Sequence, residues 1–502
     1  MKKQFLAHAM RNVLVLCAMA FLLCGAGKAP QATPAEPGIA KLTLGTVPIS
    51  VNLNASDVWY ETAWLTTEFP IACTVQEYPG KEIYVNGSKV TAKAPLSLKL
   101  DVMNPQTGIE VKVVDTATKA ETINYIRTVP AALDLRTEGS PSEAGFYYLT
   151  INQYLCKMDS RGNVVFYAYK PGCGDFKPHV LNGKLYYSYL QQLNVSEGFD
   201  AGNMKCRAVV LNDKFAEIDS ISYLSTQQGM KQHFLEQHEF LMLGEHHYVV
   251  SAYVVKRVNN IPSEVKGYSP FGARVVAAVF QEIKDGNLVF QWDSTEHPQL
   301  YGMSTDSNDY LGEQTIYADY VHLNSIEVDP ADGNYIVSLR NTSSILKISK
   351  KTGEILWILG GKGDQFGLAA EQKPSAQHFA RISSRGTLTV FDNGLILPAG
   401  MPNPFVDAYE TRVVEYKLDE KNKRLTSFQE YRVPGTCSPI TGSAELLDEQ
   451  SNTFLIGWGG KRAGTPVFTE TNFKDQRHAF EVWNRDGNIV TGGAYRVYKF
   501  SK

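Results

Sequence analysis

His322–Gly361 reads HLNSIEVDPADGNYIVSLRNTSSILKISKKTGEILWILGG, and this stretch holds the plan of most of the chain. A first apolar run, LNSIEV, ends at the turn DPADGN. A second, YIVSL, stops at Arg340-Asn341; a third, SILKIS, turns at Lys351-Thr352-Gly353; a fourth, ILWILGG, runs out on two glycines. β-branched residues between Gly- and Asp-bearing turns predict four antiparallel strands in about forty residues. The pattern recurs on both sides. Upstream lie YLCKMDSRGNVVFYAY, HVLNGKLYYSYL with CRAVVLNDKFAEID, and HEFLMLGEHHYVVSAYVV with ARVVAAVFQEIKDGNLVFQW. Downstream lie HFARISSRGTLTVFDNG with TRVVEYKLDEKNKRLTSFQEYRV, and GSAELLDEQSNTFLIGWGG with HAFEVWNRDGNIVTGGAYRVYKF. Pairing these pieces predicts six units of about 45–60 residues, the spacing of a β-propeller. The expected architecture is therefore all-β, with a six-bladed propeller over 140–502.

Ahead of it, 40–130 alternates apolar and polar residues in KLTLGTV, KEIYVNGSKV and IEVKVVDT, with an Asn86-Gly87 hairpin turn. This predicts a small N-terminal β-sandwich. Residues 27–39 are Pro- and Ala-rich and read as a tether. Residues 1–26 read as a signal peptide: Lys2, Lys3 and Arg11 precede the apolar Val13–Leu23, with small residues after it. The expected destination is export to the periplasm or cell envelope. Contact with a membrane is expected only if Cys24 is lipidated, and Leu23 before it is bulky for such a site.

At 502 residues the chain exceeds one ordinary compact domain, and 43% hydrophobic with 20% charged residues is globular composition. A net charge of −3, and no basic run in the folded part longer than Lys350-Lys351, exclude a nucleic-acid partner. Beyond the signal the cysteines are Cys73, Cys156, Cys173, Cys206 and Cys437, an odd number without a C-x-x-C pair. That pattern argues against a zinc or redox motif. Cys156 and Cys173 are spaced to bridge neighbouring strands in an oxidising compartment, with buried thiols as the alternative.

Innermost strands of a propeller line its centre, so the residues that open each unit are the candidates for chemistry. Three units open with histidine: His238 in QHEFLML, His322 in VHLNSIEV and His378 in QHFARIS. Arg340, in VSLRNTS, follows His322 by one hairpin and faces the same end. One strand-start histidine is commonly structural, Asn324 and Ser325 can serve only a turn, and Arg340 can pair with Asp319 or Glu327. Three histidines at one phase of different repeats instead suggest a ring. Three histidines also fit a zinc site. The arginine weighs against a metal, because its guanidinium fork matches phosphate or sulfate oxygens.

On these residues the chain resembles the bacterial aryl-sulfate sulfotransferases, the arylsulfotransferase family that works without a nucleotide sulfate donor. The resemblance rests on His322–Gly361, on QHFARI, FDNG (391–394), GWGG (457–460) and the closing YRVYKF, and covers roughly 140–500. It implies a six-bladed propeller with a smaller N-terminal domain, export, dimerisation and no cofactor. It implies His378 as the sulfated nucleophile, with His322 and Arg340 on the sulfate. The family's His-Asp motif falls on His238-Glu239, a departure at its second position. His238, His322, Arg340 and Asn324 are the expected substrate-binding residues. The segment GKGDQFGLAAEQKPSAQH before the nucleophile holds no cysteine, so no dependence on a disulfide-forming partner is implied.

The residue types suit such chemistry. A neutral imidazole attacks sulfur and expels a phenolate, and a phenol then takes the sulfuryl group in a ping-pong cycle. Arg340 and an N–H of His322 would hold the sulfate oxygens, and His238 or His322 would move the phenol proton. Tyrosines and Trp458 are candidates for stacking on the aryl ring. Hydrolysis of the same esters is the nearest alternative; a non-enzymatic propeller that binds sulfated ligands is the other.

Overall fold

Strand-forming sequence punctuated by turns folds as strands almost throughout. The computed structural model describes residues 39–500 except 45–46, 53, 55, 65–70, 77, 94–95, 99–108, 134, 194–204, 225–233, 312–316, 395–410, 434–436, 461–463 and 485–493. The signal 1–26 and all but the last residue of the tether 27–39 lie outside the described residues. No described helix is long and apolar enough to cross a membrane.

The chain divides into two compact units. The smaller is drawn from Met1–Tyr60, Pro70–Leu98 and Glu110–Tyr125. Its strands form two sheets, one ordered Val47–Asn52, Ile39–Leu44, Ile71–Val75, Leu96–Leu98. In the other sheet Lys81–Val85 turns into Ser88–Val90 at Asn86 and Gly87, both at positive φ, the type I′ geometry that matches strand twist. Burial of Ile109, Val111 and Val113, with their neighbours half-buried, is the period-two signature of a sheet with one inward face.

The larger unit, essentially Ile126–Lys502, is all-β and propeller-like. Its described strands form six antiparallel sheets. Four are built from consecutive strands and start with Cys173–Leu181, Phe240–Gly244, Leu323–Val328 and His378–Ile382. The remaining two are completed from opposite ends of the unit. Val497–Phe500 pairs with Phe146–Ile151, the strand that begins the first sheet. Leu135–Gly139 pairs with Arg477–Asn484 at the far edge of the sheet that starts with Ser443–Asp448. Both splices satisfy backbone groups that open edges would leave bare, and both tie the start of the unit to its end.

Packing closes the ring. One apolar cluster joins each sheet to the next: Val249 and Phe280 pack with Tyr335 and Val337, and Trp357 and Leu359 with Val390 and Tyr416. Phe391 and Val413 pack with Phe454 and Trp458, and Leu455 and Phe480 with Tyr147 and Leu149. Tyr148 and Phe166 meet Tyr187 and Val209, and Leu190 and Val210 meet Phe240 and Val250, which returns to the starting sheet. Each sheet is thus buried on both faces, which is why its strands read as near-continuous apolar runs.

Of the two alternatives for the cysteines the structure shows free thiols, and one candidate for ring stacking lies in the packing between sheets. Cys156 and Cys173 are unbridged thiols that belong to different apolar clusters, so no bond joins their sheets. Trp458 is buried at 2% exposure against Phe391, its indole N–H donating to Thr469 Oγ1 at 3.3 Å. It is a packing residue between two sheets and does not reach the centre.

Candidate active site

The first strands of the sheets converge, and the structure brings the three histidines together. Ring centroids lie 5.0 Å apart for His238–His322 and 6.4 Å for His238–His378, with Tyr253 5.4 Å from His322 and Tyr495 5.9 Å from His238. The backbone is irregular just there. His322, Ala376 and Phe379 sit at φ near +50°, a region side-chain-bearing residues seldom enter. Register shifts fall between Leu323 and Ser325 and between His378 and Arg381. Bulges of this kind re-aim side chains, and such strain is characteristic of functional sites.

Each histidine is oriented through Nδ1. His378 Nδ1 lies 2.7 Å from Asn393 Oδ1, while Asn393 Nδ2 donates to Ser438 O at 2.6 Å and Thr441 O at 2.9 Å. Both N–H groups of that amide are spent on carbonyls, so its oxygen must face the ring. His378 Nδ1 therefore carries the proton, and Nε2 keeps its lone pair. Burial, reinforced by His238 and the Arg340 cation, holds this imidazole well below the usual histidine range. It is neutral where an exposed histidine is half charged. His238 Nδ1 meets the Glu236 carboxylate, which also accepts the His238 backbone N–H at 2.8 Å. Burial lowers the His238 pKa, and Glu236 opposes that shift. His322 Nδ1 bonds Asp319 Oδ2 at 2.5 Å. Among the described residues none of the three Nε2 atoms has a partner.

Arg340 opens a short turn, Arg340–Thr342, directly after the strand Tyr335–Leu339, and its backbone N–H donates to His322 O at 2.9 Å. That bond puts the two residues at one end of the ring. The guanidinium NH1 donates to Asp306 Oδ2 at 3.0 Å and Asn341 Oδ1 at 2.6 Å. Its partner is thus neither Asp319 nor Glu327; Asp319 is taken by His322. NH2 and Nε remain uncommitted among the described residues, a fork left for an oxyanion.

Asn324 is fully buried and donates Nδ2 to Gln377 O at 2.7 Å, one residue ahead of His378. Its Oδ1 is buried without a partner, as are Asp319 Oδ1, Gln377 Oε1 and the Tyr495 hydroxyl. An amide oxygen can accept from a ligand O–H but gains nothing from a sulfate. So Asn324 braces the His378 loop and offers an acceptor. Orphaned polar atoms are costly in a closed core and commonly mark where a ligand sits.

Glu239, although it follows His238 in sequence, does not bond to its ring. Its carboxylate turns the other way, to Lys177 Nζ at 2.8 Å, Arg381 at 2.6 Å and Arg496 at 3.1 Å. Asp175 joins Lys177 at 2.8 Å and Tyr498 at 2.6 Å, and Arg496 donates to Asn324 O at 2.7 Å. These groups come from five of the six innermost strands or their entries. They form an ionic layer beside the histidine layer, and the cations around Glu239 hold its carboxyl below the ordinary range despite burial.

A cavity of about 880 Å3 is lined by Gln237, which precedes His238, by Tyr495, and by Thr441, Gly459 and Gly460 among others, while none of the three histidines lines it. The structure thus gathers His238, His322 and His378 with Arg340 and Asn324 close by, and leaves Trp458 outside. The sequence did not single out Asn393, Glu236, Tyr253 or Tyr495. Asn393 stood in view within FDNG, directly after the strand Leu388–Asp392, whose Phe391 pairs with His378. Among the described residues no group of three or more His, Cys, Asp or Glu is close enough to hold a metal ion.

The family model for arylsulfotransferase (ASST) matches residues 140–496. An arylsulfate sulfotransferase of Escherichia coli O6:H1 is 33% identical over 171 residues, which cover 28% of this chain and 28% of the relative. One from Lelliottia amnigena is 29% identical over 193 residues, covering 32% of this chain and 31% of the relative. Each alignment thus spans less than a third of the curated relative. A solved structure of a Bacteroides caccae protein of unknown function covers 72% of this chain at 11% identity. Its TM-score is 0.39, too distant to bear on activity.

Proposed function

The chain belongs to the arylsulfotransferase family, and on that premise we propose that it moves a sulfuryl group from an aryl sulfate to a phenol through His378. The single observation that carries this reading is the His378–Asn393 pair, which leaves a neutral imidazole with its Nε2 lone pair exposed to the centre. In the first half-reaction Nε2 attacks sulfur, an N–S bond forms and the S–O(aryl) bond breaks with its electron pair on the phenolate. In the second, the oxygen of an acceptor phenol attacks the same sulfur, the N–S bond breaks, and the phenolic proton passes to a neighbouring base. The open guanidinium edge of Arg340 suits the sulfate oxygens, whose charge shifts during both steps. His322, whose Nδ1 is held by Asp319, offers its Nε2 as the base that takes the acceptor phenol's proton in the second step. The same reading includes export, six blades, an N-terminal sandwich and a dimer; the sequence pattern and the resemblance support these.

The test is direct. Incubated with 4-nitrophenyl sulfate, the protein should release nitrophenolate, and more of it when phenol is added. Its His378 peptide should gain the mass of one SO3. A His378→Ala variant that turns over normally would sink the reading; release unaffected by phenol would point to hydrolysis instead.

A further inference from the structure

Arg340 also borders a second space. A cavity of about 280 Å3 is lined by Arg340, Asp306, Lys362, Lys373, Ser375 and Ala376, among others, and shares no lining residue with the larger cavity. Three cationic side chains line it against one carboxylate. Lys362 Nζ donates to Ser304 O at 2.8 Å and Gly302 O at 3.3 Å, and Lys373 Nζ to Gly361 O at 3.0 Å. Neither ammonium meets a carboxylate among the described residues. Each has three N–H donors, so at least one on Lys362 and two on Lys373 stay available. Backbone carbonyls fix where these charges sit without neutralising them. The cavity also adjoins the reacting centre: Ala376 is two residues from His378, and the Arg340 charge acts on the His378 ring.

We propose that this cavity binds a second oxyanion carried by the substrate, a carboxylate or further sulfate on the aryl ring, and so selects aryl sulfates and phenols whose ring bears such a group over those whose ring bears none. The inference rests on the sulfotransferase reading and names its substrate class. Sulfuryl transfer itself takes place at His378, whereas Lys362 and Lys373 touch only the distant substituent. A free inorganic anion shares this chemistry, and the experiment separates the two sources.

The full chain is assayed with 4-nitrophenyl sulfate and with its 2- and 3-carboxylated analogues, as wild type and as Lys362→Gln/Lys373→Gln. Wild type should show the higher kcat/KM for at least one carboxylated donor. The double variant should lose about ten-fold per lysine on that donor, the scale of one charge-assisted hydrogen bond. Turnover of 4-nitrophenyl sulfate, whose ring bears no second anion, should stay within about two-fold. Equal losses on both donors, or no wild-type preference, would overturn the proposal. Lysine-dependent inhibition of both donors alike by sodium sulfate would also overturn it, since that marks a site for a free anion. If no aryl sulfate is turned over, the sulfotransferase reading has failed, and calorimetric titration with 4-hydroxybenzoate and with phenol decides the pocket alone. Tighter binding of the benzoate, lost in the double variant, upholds the oxyanion site; equal binding rejects it.

Discussion

The histidine layer and the ionic layer are built from the same strand entries, sometimes from adjacent residues. His238 precedes Glu239, and His378 stands three residues before Arg381. Both layers are buried. In the ionic layer Lys177, Arg381 and Arg496 converge on Glu239, and Asp175 fills the remaining gaps. In the histidine layer each ring is held by one nitrogen only, and buried oxygens of Asn324, Asp319 and Tyr495 go unmet. Saturated polar groups specify a structure; unsaturated ones, fixed in place, await a ligand. Burial and charge alone do not separate the two layers, but the count of uncommitted donors and acceptors does.

The contrast can be broken by substitutions in either layer. The largest effect is expected at His378: replacement by alanine should lower kcat by roughly 10⁴-fold or more, as for other covalent carriers. Its unfolding midpoint in urea should barely move. In the ionic layer the expectation is reversed. Glu239→Gln leaves three buried cations short of a charge and should cost about 3–5 kcal/mol of stability, read from urea unfolding. The activity per folded molecule should change much less.

Asn393→Asp sharpens the comparison, because it keeps the acceptor on His378 but adds a charge. A carboxylate favours the imidazolium and raises the pKa of His378. The acid limb of kcat/KM should therefore move up by about one to two pH units, with recovery at alkaline pH. An unmoved limb would mean that the Asn393 contact does not govern the nucleophile.

The smallest effect concerns Glu445, half-buried on an inner strand, whose pKa burial raises to about 7. A carboxyl raised in the folded state contributes stability that is full below its unfolded pKa. That stability is lost as pH rises through about 7. Glu445→Gln should then change little at pH 4 and stabilise by about 1–2 kcal/mol at pH 8, allowing for partial solvent screening.

The strand pattern of His322–Gly361 made the repeat legible, because strand alternation and turn chemistry are local. The splices at the unit's ends were not legible. Leu135 pairs with Asn484, and nothing in either short segment announces a partner so distant in sequence. His238, His322 and His378 could be picked out by their shared repeat phase. Glu236 could not be chosen over Glu239, since both flank His238 closely and the difference lies only in the direction each side chain takes. Asn393 was hidden for a related reason: asparagine before glycine reads as a turn residue, and only the pairing of His378 with Phe391 brings it alongside the ring.

Sequence by itself determined that this chain is strand and turn, and that histidine recurs at one phase of its repeats with an arginine one hairpin away. Those facts follow from local propensity and spacing. Only the tertiary structure decided which carboxylate orients which histidine, which nitrogen of His378 keeps its lone pair, and which buried charges are already spent. The first depends on side-chain direction within one strand entry, set by bulges and positive-φ residues, and the other two on groups from neighbouring strands and sheets meeting at the centre; chain order does not carry that geometry.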